Sequence, residues 1–490
     1  MVYEAACDRV KSVTDPQTGT ISYTYATSGE RLTMTAPNAE VTTYAYDNYT
    51  LLPSPTPDKM MRPLRTITDA QGRKVSIYYL GDITQGGPVY GPNILGLLDN
   101  LRFNQSFDAN GNLLSYCENK MLYSATPPRA LGTTTTKFYW RTNASSPWQN
   151  KIVGQNAYGY NVLTGQKTTN AITDSYGATR TETYNYDELS RLTGVAYGDG
   201  QTQGYSFDSM GNRLVKTDSV TGNETYSYNN ANMLLTRNGQ GYTNDVAGNT
   251  LTGGGRTMTW DSQNRMVSCV KGGVTSQFTY GTDGLRRYSL ATNAAGEQTE
   301  TKYVLDGQNV IQEIVRHRTN ASSSWDSPTT VGYMMGGSGP AYRKVGTASP
   351  DVRWYCYDGG GNVLGEVDVL GNVTGSRKHD VYGLTRGVSG TVTSKHGWQG
   401  GVGHQSEDET GLIYMRARYY APELGRFQTE DLRKDGSNWF SYCKNNPINN
   451  IDRTGEISIA IVLATVALLG MCGIVVSAEE FYSMVGPEQT

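Results

Sequence analysis

The stretch from Arg416 to Asp431, "RARYYAPELGRFQTED", puts three arginines, two tyrosines, a proline turn and an acidic end into sixteen residues. A second aspartate, Asp452, stands 21 positions further on in "NNPINNIDRTG", after which the chain turns wholly apolar. Carboxylates and guanidinium groups in such a block can do two kinds of work. Kept apart, each aspartate caps a turn, and each arginine pairs with a carboxylate or lies on a tyrosine face. Brought together, two carboxylates cannot both ionise easily, so one stays protonated as a general acid and the other activates water as a base. A neighbouring arginine would tune the charge of the pair or orient one member.

The elements that must position these groups are set by an unusual composition. In 490 residues there are 57 Gly and 35 Tyr against only 8 Phe, and the hydrophobic fraction is 37%. Such a chain builds few aliphatic cores, but it can pack tyrosines between strands joined by Gly and Asn turns. A long repeat array fits better than two or three ordinary domains. The net charge of −3, with both signs mixed along the chain, argues against a nucleic-acid binder. The six cysteines are scattered without CxxC spacing and apart from the four histidines, so they read as isolated half-buried thiols and not as zinc ligands. No metal or cofactor is expected. The N-terminus lacks a signal peptide and opens inside a pattern that continues downstream, as expected of the C-terminal piece of something longer, or of a chain exported without a cleaved leader.

That pattern is an internal repeat. "YNYDELSRLTGV", "YSFDSMGNRLVK", "YSYNNANMLLTR" and "YCYDGGGNVLGE" share aromatic-x-aromatic-Asp (Asn in one), a short turn, then Arg or Asn and an aliphatic pair. Looser copies include "YAYDNYTLL", "QSFDANGNLLSY", "YTNDVAGNTLTG" and "MTWDSQNRMVSC". Alternation puts the aromatics on one face of a strand, Asp caps the turn, and the aliphatic pair begins the return strand. Each unit is a β-hairpin that must stack on its neighbours to bury a face.

On these residues the chain resembles the YD-repeat proteins of the rearrangement-hotspot (Rhs) class, which include insecticidal toxin C subunits and teneurins. The resemblance covers most of residues 14–455. It implies an all-β spiral of hairpins forming part of a hollow shell. Residues 397–456 resemble the Rhs-associated core through Glu409-Thr410-Gly411-Leu412, Tyr414, Arg418-Tyr419-Tyr420, Gly425-Arg426-Phe427, Asp431, Asn446-Pro447, Asp452 and Gly455. In several members that core cuts its own chain. The resemblance places the catalytic aspartates on Asp431 and Asp452, the arginine on Arg418, and the cut near Glu456–Ile457. Leu432 and Arg453 replace the family's prolines, and Glu456 stands where leucine is common. The other reading is that Asp431 and Asp452 only cap turns while Arg418 pairs with one of them to plug the shell.

From Ile457 to Ala478 the chain carries no charge for 22 residues, long enough to span a bilayer as a short apolar helix. The tail is read as a membrane-inserting segment, the start of a truncated toxin, or a piece buried in the shell. The division expected is 1–396 repeats, 397–456 core and 457–490 tail, with no separate toxin enzyme recognised. Two functions follow. One is a secreted bacterial toxin carrier that encloses and releases its own C-terminal segment. Its partners would be upstream repeats, secretion machinery and an immunity protein. The alternative is a non-enzymatic surface or adhesion module anchored by residues 457–478.

Overall fold

The computed structural model describes residues 1–3, 9–27, 29–46, 64–79, 98–107, 113–123, 131–143, 145–161, 163–174, 178–336, 339–346 and 350–460. Among them the fold is all-β, with short 3-10 turns at Gly400–Val402 and Cys443–Asn445 as the helical exceptions. Strands follow one another in sequence order, each antiparallel to the next, in one 19-stranded and one 14-stranded sheet. The strip winds back on itself. Leu64, Ile67 and Val75 share a buried cluster with Met334, Tyr342 and Trp354, and Ile21 and Tyr23 share another with Val304 and Ile311. Arg31 pairs with Asp306 at 2.5 Å across the same seam.

The repeat consensus explains itself in contacts. In Thr179–Tyr186 the residues alternate exposed and buried, with Tyr184 inward. Asp187 Oδ1 accepts the N–H groups of Leu189 and Arg191, closing the turn. Four residues after the acid, Arg191 donates Nε to Asp187 Oδ2 at 2.7 Å and Nη1 to the Asp208 carbonyl of the next turn at 2.7 Å. Asn249 does the same with Asp245 and then Asn264, at 2.8 and 2.9 Å. The Arg-or-Asn position therefore locks its own turn and ties it to the next. The last aromatic reaches backward: Tyr228 Oη donates to the Arg213 carbonyl and Tyr280 Oη to that of Met266.

Because successive strands alternate in direction, successive connections alternate between two rims. The turns beginning at Asp187, Asp208, Asn229, Asp245, Asp261, Asp358 and Asp380 all fall on one rim, with Gln240–Gly241 and Thr243–Asn244 counting as one interrupted strand. Residues 397–456 dock on that rim and also reach the other, where Arg256 Nε donates to the Thr410 carbonyl at 2.6 Å. Asn446 Nδ2 donates to the Ser190 carbonyl and Asn445 Nδ2 to that of Gly211, each at 2.8 Å. Arg426 reaches the Asn232 carbonyl at 2.6 Å, and Gly401 N–H that of Gly361 at 2.8 Å. Tyr420 Oη meets the Tyr382 carbonyl at 2.7 Å.

Two points differ from expectation, and a third lies almost wholly outside the described residues. Cys117, Cys269, Cys356 and Cys443 are fully buried rather than half-buried, consistent with thiols acting as small apolar groups. Ser458–Ala460, the start of the apolar tail, is a strand paired with Asn450–Asp452. No helix among the described residues is long and apolar enough to cross a membrane; the helix expected within 457–478 falls almost wholly in 461–490, outside the described residues.

Candidate active site

Arg418 opens the short buried strand Arg418–Ala421, which pairs with Leu412–Met415 and Arg426–Phe427. Its guanidinium lies 3.6 Å from the Phe427 ring centroid, so ring packing fixes its direction. From there one nitrogen, Nη2, meets Asp431 Oδ2 at 3.0 Å and Asp452 Oδ2 at 3.5 Å. Nη1 donates to the Trp439 carbonyl at 2.9 Å, and Nε to the Gly455 carbonyl. All three side chains are at most 5% exposed. The two aspartates and the arginine thus meet at one buried point beside the backbone of residues 453–457.

Each carboxylate is held by its own loop. Asp431 Oδ1 accepts Arg433 N–H at 2.8 Å. Asp452 Oδ1 accepts the N–H groups of Thr454, Gly455, Glu456 and Ile457 at 2.8 to 3.2 Å. Both aspartates therefore do cap turns, and the same caps aim their other oxygens at Arg418. Burial pushes the Asp452 carboxyl up to about 6 against the opposing pull of Arg418 and the backbone amides. Asp431 is also raised, again chiefly by burial, with Asp435 and Glu456 adding to it against Arg418.

The chain approaching the site is gripped carbonyl by carbonyl. Arg416 donates to the carbonyl of Arg453, Ala417 N–H to Thr454 at 3.0 Å, and Arg418 to Gly455. His404 Nε2 adds a contact to the Arg453 carbonyl at 3.3 Å. Burial holds that imidazole well below its usual range, hence neutral. Arg416 differs from expectation: instead of carboxylates or tyrosine faces it takes carbonyls, those of Gln308 and Val402 besides Arg453. Its own backbone is left-handed, φ 61°, which turns its side chain away from the strand pattern read from sequence. Arg426 does lie over aromatic faces, Tyr228 and Phe440. Sequence reading gave Arg416 and His404 packing roles and Tyr442 only a place in the core motif; the three-dimensional path of residues 452–455 brings them to the site, where Tyr442 Oη accepts Asp452 N–H at 3.4 Å.

Glu456 pairs with the largely exposed Arg433 at 2.7 Å. Gly455 has φ 79°, and a Cβ there would stand 2.4 Å from the Met415 carbonyl oxygen. Gly455→Ala should therefore cost on the order of 3 kcal/mol through strain and displacement of the clamp. Chemical denaturation checks it, and a loss below about 1 kcal/mol would mean the clamp yields easily.

A profile of the teneurin YD-shell family matches residues 142–451. The chain belongs to that family. This YD-shell chain is 29% identical over 281 residues to the tRNA3(Ser)-specific nuclease WapA of Bacillus spizizenii, covering 55% of the chain and 12% of the relative. It is 23% identical over 348 residues to the toxin subunit YenC1 of Yersinia entomophaga, covering 61% and 33%. The solved TcdB2-TccC3-TEV structure aligns over 91% of the YD-shell chain and 28% of its own, at 14% identity and TM-score 0.45. The chain thus spans a small part of the length of these relatives.

Proposed function

We propose that this chain is the closing part of a secreted bacterial toxin carrier, divided at 397 and 457, whose core cuts the chain after its final turn. The observation that carries this reading is the meeting of Asp431 and Asp452 at one nitrogen of Arg418 beside residues 453–457. Asp452 is the carboxyl beside the leaving group of a cut at Glu456–Ile457: in the resting chain its Oδ1 accepts the Ile457 N–H at 3.2 Å, and the proton the carboxyl holds goes to that nitrogen once attack on the carbonyl frees the nitrogen lone pair. Asp431 then serves as the base for the attacking water. The water oxygen adds to the carbonyl carbon as Asp431 takes its proton, and the C–N bond breaks as Asp452 protonates the nitrogen.

A second reading concerns which bond is cut. The carbonyl that Arg418 polarises is that of Gly455, and Glu456 N lies 3.1 Å from Asp452 Oδ1. This geometry favours Gly455–Glu456. Intact mass decides, because the products differ by one glutamate. If the chain incubated near pH 5 yields neither product, and Asp431→Asn behaves like the wild type, the core is a plug.

The pH profile follows from the acid. Asp452 must carry its proton, so the cleavage rate should fall about tenfold per unit above about pH 6. Ionisation of the base gives the opposite limb, and both values belong to the coupled pair. Time courses across pH 4–8 check this; a rate that rises steadily through pH 8 rules out Asp452 as the acid. The freed segment would be the chain's own cargo, with upstream repeats, export machinery and an immunity protein as further partners.

A further inference from the structure

Lys167 opens the strand Lys167–Thr173, and its backbone N–H donates to Asn449 Oδ1 of the core at 2.8 Å. Its side chain is buried, with the ammonium 4.5 Å over the Tyr158 ring. No oxygen accepts from that ammonium among the described residues. Lys167 borders a cavity of about 90 Å³ where three parts of the molecule meet. Residues between 158 and 197 of the larger sheet form one side, and residues between 358 and 381 of the smaller sheet form another. Trp398, Gln399, Pro447 and Ile448 of the core complete it. A water needs on the order of 10–15 Å³ of such space, so the cavity admits a group of several heavy atoms.

The polar groups around this cavity are unbalanced. Arg377 has no acceptor among the described residues, and Arg180 Nε is buried without one. Three carboxylates also line the cavity, but each is already engaged. Glu182 takes the Tyr184 hydroxyl at 2.8 Å, Asp358 the N–H groups of Gly360 and Asn362, and Asp380 those of Tyr382 and Leu384. With Lys378, the wall carries four cationic side chains against those three. Two acceptors are orphaned as well: Asn170 Oδ1 and Gln399 Oε1 have no donor, on residues only 6% and 1% exposed. A buried ammonium without a counter-ion and two buried carbonyl oxygens without a donor fit a group that is negatively charged and itself carries protons. Burial pulls the Lys167 ammonium below its ordinary value, against Asp358 and Glu182, and an anion beside it would reverse that. We propose that the junction binds one inorganic phosphate, its oxygens facing Lys167, Arg180 and Arg377 and its hydroxyls donating to Asn170 and Gln399. A nucleotide is too large for the space. The ion would join both sheets to the core, fastening the spiral where residues 397–456 dock. This is independent of whether the core cuts the chain.

The test is calorimetric titration of the full chain with inorganic phosphate and with sulfate, at constant ionic strength in a buffer free of both. Phosphate should bind and raise the melting temperature, since it favours the folded state alone. Sulfate has the charge and shape but no proton for Asn170 and Gln399, so it should bind at least about tenfold more weakly. Lys167→Met should weaken phosphate binding by about tenfold or more. The substitution removes a buried charge that has no partner, so the chain should still fold, and circular dichroism checks that. Arg377→Met, at a partly exposed side chain, gives a second reading of the same loss. Gln399→Leu should shrink the preference for phosphate over sulfate. No binding of phosphate up to about 10 mM would leave the cavity to water and overturn the proposal. Undiminished binding by folded Lys167→Met and Arg377→Met, or sulfate binding as tightly as phosphate, would overturn it equally.

Discussion

Asp452→Asn should leave the chain at full length under conditions where the wild type ends at Gly455 or Glu456. Asparagine keeps an oxygen at Oδ1, so the four backbone N–H groups that close the 453–457 turn keep their acceptor, and the fold survives. What it cannot do is deliver a proton to the leaving nitrogen. Loss of a positioned general acid lowers a rate by on the order of 10² to 10⁴, enough to separate hours from weeks. Intact mass after incubation at pH 5 reads the result. A variant cut as fast as the wild type would remove Asp452 from the chemistry. A second consequence has a defined sign. The folded carboxyl holds its proton up to about pH 6 against an ordinary value of 3.8. The unfolded chain therefore ionises first, and the wild type loses stability as pH rises from about 4 to about 6. Asp452→Asn should not show that loss.

The second large effect lies where the core meets the spiral. Arg286 and Glu407 pair at 2.5 Å with side-chain exposures of 1% and 7%. Arg286 also donates to Tyr419 Oη at 3.1 Å and lies over the Tyr303 and Tyr414 rings. Removing one partner of such a pair strands the other charge in a buried interface, at a cost of about 3 to 5 kcal/mol. Arg286→Met and Glu407→Leu should each destabilise the chain by that amount. The double variant should recover most of it, because two apolar groups need no solvation. Additive losses in the double variant would show that the pair is not coupled and that packing around Tyr419 accounts for the cost.

What could be read from sequence was local. Asp187, Asp245 and Asp261 cap turns through N–H groups two and four residues away, and Asp208 through the one four away, distances that spacing reveals. The second bond of each Arg or Asn, to the next repeat's turn, crosses 15 to 20 residues and was visible only as a consensus letter. The candidate site was legible through family likeness, not through spacing. Asp431 and Asp452 meet only because Arg418, on another strand, lies flat on Phe427 and reaches both. Asn446 entered the sequence reading only as a letter of the core motif, yet the amides of Asn445 and Asn446 anchor the core to turns more than two hundred residues earlier, where the backbone at 443–445 is left-handed for three residues in a row.

The strand Ser458–Ala460 lies just past either candidate bond and pairs with Asn450–Asp452, placing Ile459 opposite Ile451 and Ser458 opposite Asp452. Hydrolysis would sever the covalent link while leaving that ladder intact. Cutting and departure are therefore two events with separate clocks, the first set by proton transfer and the second by the dissociation rate of a three-residue β-pair. The processed chain would run as two pieces in denaturant and as one particle in native buffer. A trigger that pulls on the tail, and not the cut itself, would set the moment of release.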